Sequence, residues 1–161
     1  GTVDTAMGWT RVSGAPTEKG LLSGGQSDSL WGLQGREMLG GGSYAVFALE
    51  GGIDTAHGAP DDPLRPFNYQ SWVGLGHPRL GELRLGRQYT VGQAFVSLIE
   101  VGSWKNFGLG ALMRASDNYQ VPKQLSWRSP QWGGVQLGAS YSFDIADAGS
   151  SAGSGSAAHK L

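Results

Sequence analysis

The chain has 161 residues, with 12 basic and 13 acidic side chains, a net charge of -1 and a pI near 6.3, which leaves no basis for a nucleic-acid or anionic-surface partner. It contains no cysteine, so disulfide frameworks, thiolate metal sites and cysteine nucleophiles are excluded. Glycine is the outlier: 28 of 161 residues, more than twice the average usage of about 7%, placed inside apolar runs rather than in one linker.

The first residues, Gly-Thr-Val-Asp, carry neither a basic start nor an apolar h-region, so a mature or trimmed chain is expected. Strand patterns then follow at residues 3–12, 29–38 and 43–54, the last two joined by Gly40-Gly41-Gly42. Further strands are read at 69–75 and 82–89, joined across His77 to Gly81, and at 120–128 and 135–143, joined across Ser129 to Gly134. The remaining connections, 13–28, 56–68 and 91–118, are long and rich in glycine, proline, serine or charge. The longest uninterrupted apolar run, Tyr44 to Leu49, is far below the ~20 residues of a transmembrane helix. Strands of about 10 alternating residues, by contrast, cross a bilayer as a barrel.

Short and long connections alternate along the chain. That is the plan of an antiparallel meander with tight turns at one end and long loops at the other, as in outer-membrane barrels. Within the last strand, Val135, Leu137, Ala139, Tyr141 and Phe143 share one face, and Gln136, Gly138, Ser140 and Ser142 the other. A soluble sandwich has the same period, but its inner faces need bulky residues to interdigitate, and many of those places here hold glycine. Trp31, Tyr44, Trp72, Tyr89, Trp127, Trp132 and Tyr141 lie near strand ends, as interfacial girdles do, although strands favour aromatic residues in any setting.

Three blocks carry a family resemblance. "SLWGLQGREMLGGGSYAVFALEGGID" resembles the second and third strands of Gram-negative general porins of the β-proteobacterial type. "SWVGLGHPRLGELRLGRQYT" resembles their fourth and fifth strands, and "LSWRSPQWGGVQLGASYSF" their sixth and seventh. The resemblance covers most of Gly1 to Phe143 and implies an all-β transmembrane barrel of about sixteen strands, of which about seven are present here. It further implies a homotrimer in the lipid of the cell outer membrane, passing small hydrophilic solutes and ions by diffusion. The porin-like segment would occupy residues 1–144, followed by a Gly/Ala/Ser tail over 145–161.

The same resemblance makes residues 91–117 the third loop, folded inward to narrow the pore. Glu100 and Asp117 would form the acidic side of that constriction, with Lys105, Arg114 and Arg87 contributing positive charge. Read alone, each is better taken as an ordinary solvated loop charge. Two positions that are basic in the family hold Leu30 and Gln120 here, so the basic cluster is weakened. The chain also lacks the V-T-L-Y before its first glycine and the terminal aromatic of the last strand, as an N-terminal half would. Arg87 is in conflict: alternation from Leu83 and Leu85 puts it on the apolar face, whereas the resemblance puts it in water. A bulge or strand end near Gly86 is therefore expected.

No other chemistry emerges. His57, His77 and His159 are too scattered to be metal ligands, and "GLGHPRLG" and "GLGALM" do not open a helix after a strand as a phosphate loop does. Glu50 with Asp54, and Asp61 with Asp62, have no nucleophile context. No enzyme activity, metal or cofactor is assigned. Two functional classes remain: a porin segment, which would need detergent, and a non-channel β-sheet interaction or adhesin-like domain of porin ancestry, monodisperse without it.

Overall fold

The computed structural model describes residues 1–11, 13–14, 16–98 and 120–143. Two strands, β1 (Thr5–Thr10) and β2 (Glu18–Ser23), form an antiparallel ribbon. The main sheet holds β3 (Leu30–Gly40), β4 (Ser43–Asp54), β6 (Gln70–His77), β7 (Gly81–Tyr89), β8 (Gln120–Arg128) and β9 (Gly138–Ser142), each antiparallel to the next. A two-residue strand, β5 (Ala59–Pro60), pairs with the end of β4. A short helix, α1 (Val91–Val96), follows β7. Over the described residues the sheet is open and does not close on itself.

Tight turns gather at one end because glycine permits them there. Gly41 and Gly42, with φ of 60° and 87°, occupy the two central places between β3 and β4, the left-handed pair that a two-residue hairpin needs to match strand twist. Gly133 and Gly134, at 58° and 88°, repeat the device between Trp132 and Val135, extending the β8–β9 hairpin. At the opposite end the connections are long. There the Asp4 carboxylate accepts hydrogen bonds from the backbone N–H groups of Gly25, Gln26 and Ser27, tying the chain's start to the bend between β2 and β3.

All seven expected strands are present, shifted by at most a few residues. Three elements were not expected. The segment forming β2, Glu-Lys-Gly-Leu-Leu-Ser, has adjacent leucines rather than alternation, and only pairing with β1 makes it a strand. Likewise β5 is too short to carry a period, and α1 is a single capped turn in which the Thr90 side chain accepts from the Gln93 N–H at 3.2 Å.

Burial is inverted relative to a soluble protein. The apolar row Phe47, Val73, Leu85, Leu125, Tyr141 runs unbroken across five strands, each residue the register partner of the next. Leu125 is half-buried and the other four are exposed, Val73 by 58% and Tyr141 by 65%. The opposite face buries amides, with Gln88 exposed by 1% and Gln124 by 2%. Only Ala48, Tyr69 and Val121 are buried apolar residues among those described. A sheet with its large apolar side chains outward and its amides inward has no hydrophobic core to hold it in water.

Candidate functional site

The polar face carries a continuous side-chain network that runs from the short-turn end toward the long loops. Arg36 lies 3.5 Å above the Tyr44 ring. The Tyr44 hydroxyl donates to Glu82 Oε2 at 3.0 Å, and Arg84 Nε donates to Glu82 Oε1 at 2.6 Å. Arg84 in turn stacks over Trp72, its guanidinium carbon 4.1 Å from the ring centroid. Trp72 Nε1 donates to Gln70 Oε1 at 2.8 Å, and Gln70 Nε2 donates to Glu50. Polar groups of four strands are thus held in place by one another, each charge hydrogen-bonded or laid flat on a ring.

Glycine makes room for this network. A Cβ at Gly76 would collide with the Tyr44 ring, and one at Gly86 with the backbone of Ser71 and Trp72. Gly76 thus acts as a slot for a neighbour's aromatic ring, as Gly35 does on the outer face under Phe47, whereas Gly86 allows a close approach of the β6 backbone.

Beside Arg84 and beyond it on β7 and β8 lie neutral groups. Ser126 Oγ donates to Gln88 Oε1 at 2.7 Å, and Gln88 Nε2 donates to the Gln124 carbonyl at 3.0 Å. Here the backbone is irregular. The β7–β8 register shifts between Gly86 and Gln88, because two steps on β7 lie opposite three on β8, from Gln124 to Val121. Lys123, at φ 50°, and Gly86, at φ 135°, absorb the mismatch. The irregularity expected at this place is present, but its extra residue sits on β8. On the other side, β6 pairs regularly through Trp72 with Gly86 and Ser71 with Arg87.

Of the residues named from sequence as a constriction, Arg87 is in β7, and its Nε donates to the Asn68 carbonyl at the mouth of the loop before β6. Glu100, Lys105, Arg114 and Asp117 lie outside the described residues. The described part of that segment, α1, packs against β9 on the polar face: a Cβ at Gly138 would fall 2.6 Å from Val91 Cγ1 and 2.8 Å from Phe95 Cε2. The sequence reading missed Arg36, Tyr44, Trp72, Glu82, Arg84 and Arg128. Their signal was parity, since Glu82 and Arg84 alternate with Leu83 and Leu85.

Residues 1–160 match the Gram-negative porin family. The chain belongs to that family. It is 29% identical to an outer membrane porin protein of Bordetella pertussis over 91% of this chain and 42% of that relative. To outer membrane porin protein 32 of Delftia acidovorans it is 32% identical, over 89% of this chain and 43% of the relative. Among solved structures, the anion-selective porin from Comamonas acidovorans superposes with a TM-score of 0.75 at 30% identity, covering 88% of this chain and 45% of that one. The chain thus spans less than half the length of these porins and corresponds to their N-terminal part. Membership places it in the outer membrane and accounts for the antiparallel, open sheet as part of a porin barrel.

Proposed function

We propose that the polar face lines the water-filled passage of a porin, through which small hydrophilic solutes and ions diffuse passively. The observation that carries the reading is the inverted burial: Val73, Leu75, Leu83 and Leu85 point outward while Gln88, Gln124 and Ser126 are covered. Outward leucines suit hydrocarbon, and inward amides and guanidinium groups suit water. In this reading the segment 91–117 is the inward loop, because α1 already turns onto the polar face, and Glu100, Asp117, Lys105 and Arg114 stand with Arg87 at the narrowest part. Residues 1–144 belong to the barrel and 145–161 to a tail. The assembly is a homotrimer in outer-membrane lipid, and no catalysis is assigned.

Liposome swelling tests this. Vesicles containing the protein that carries this chain should swell in sugars up to a sharp size limit. Vesicles that swell no faster than protein-free controls would refute the reading. The 161-residue chain by itself should give no steady conductance, because unpaired N–H and C=O groups at an open sheet edge cost several kcal/mol each in hydrocarbon.

A further inference from the structure

We propose that Arg36, Arg84 and Arg128 form an anion-recognition belt at the short-turn mouth of the passage, taking small anions such as chloride and carboxylates; this rests on the polar face lining the pore. Two neighbouring rows of the sheet build it. Arg36 and Arg84 occupy one row, connected through the register pairs Arg36 with Val46, Val46 with Gly74 and Gly74 with Arg84. In the next row Glu82 lies directly opposite Arg128, and Tyr44 is joined to it through Gly76. All of these share the face of Ser126 and Ser140, opposite the apolar row.

Charge in the belt is unbalanced. Three guanidinium groups stand against one carboxylate, and that carboxylate is committed, Oε1 to Arg84 and Oε2 to the Tyr44 hydroxyl. Arg128, despite facing Glu82, has a buried Nε with no hydrogen-bond partner among the described residues. Arg36 has the Tyr44 ring rather than an acid beneath it. A guanidinium stacked by its face keeps its N–H edge available, and that edge is the part that recognises an anion. The stacks also spare the side chain's ordering cost when the anion arrives.

Position makes the belt distinct. Leu30 and Gln120 pair with Gly52 and Tyr89 toward the long-loop end, and neither carries charge. Arg36 is six residues along β3 from Leu30, roughly 20 Å nearer the short turns. These three guanidinium groups are therefore gathered near the mouth, where they would enrich anions before they pass Gln88 and Gln124 further in.

Reversal potentials in a potassium chloride gradient test the belt, using channels formed by the protein that carries this chain. The parent should favour chloride. Arg36→Gln and Arg128→Gln should each lower the chloride-to-potassium permeability ratio by about twofold, more at low salt, as a unit charge does through a screened aqueous lumen. Glu82→Gln should raise the ratio, and Arg36→Lys should keep it. Arg79→Gln, which removes the same charge from the exposed turn between β6 and β7, should leave it unchanged. An unchanged ratio in Arg36→Gln and Arg128→Gln channels with intact conductance steps overturns the belt alone, as does an equal shift from Arg79→Gln. If the glutamine variants fail to assemble, Glu82→Gln decides, and a ratio that does not rise overturns the belt. Absence of steps in the parent overturns the porin reading instead.

Discussion

The two faces of the sheet use the same backbone, yet they are built to opposite rules. On the outer face, Phe47, Val73, Leu85 and Tyr141 line up across strands with no polar partner and nothing covering them. On the inner face large side chains are tied in one run, from Arg36 through Tyr44, Glu82, Arg84 and Trp72 to Gln70 and Glu50. The outer face can be loose because lipid will fill any gap. The inner face must be fixed, because charges facing a common lumen repel or collapse unless their geometry is held.

Charge placement should separate the faces most strongly. Leu85→Lys, in the middle of the apolar row, should cost about 2–4 kcal/mol of stability in denaturant unfolding from lipid, whereas Ser140→Lys on the polar face should cost little. Equal losses would erase the distinction. A smaller contrast lies in the two ring-covered glycines. Gly76→Ala would push on Tyr44, whose hydroxyl is held by Glu82 and whose face is held by Arg36, so a loss of about 1–3 kcal/mol is expected. Gly35→Ala meets Phe47, which has no polar tether and can swing toward lipid, so unfolding should register a loss below about 1 kcal/mol. The smallest effect should come from Trp72→Phe. It removes the bond to Gln70 and weakens the stack under Arg84, for about 0.5–1.5 kcal/mol in the same unfolding measurement.

Strands were legible in the sequence wherever a period of two survived, as in Ser43–Asp54 and Gly81–Tyr89, because one face must be apolar throughout. The turns were legible through Gly40 to Gly42 and Gly133-Gly134, whose positive φ no other residue tolerates as readily. The ribbon strand β2 was not, since Leu21 and Leu22 are adjacent and its pairing with β1 is a tertiary fact. The disturbance near Arg87 was readable as a conflict between parity and resemblance, but its location on β8 was not, because Lys123 gives no hint of a positive φ. The polar network stayed hidden for a different reason. Arg36, Glu82 and Arg84 are ordinary strand charges until register brings Tyr44 and Trp72 beside them. Of the expected constriction, only Arg87 falls on described residues.

The central claim is that the Ser126 face meets water and the Leu125 face meets lipid. The chain has no cysteine, so a thiol introduced on β9 is unique within it. Labelling in intact outer membranes with a membrane-impermeant thiol reagent should modify Ser140→Cys and Ser142→Cys rapidly, and Ala139→Cys and Tyr141→Cys slowly or not at all. Uniform labelling along the strand, or the opposite alternation, would contradict the account.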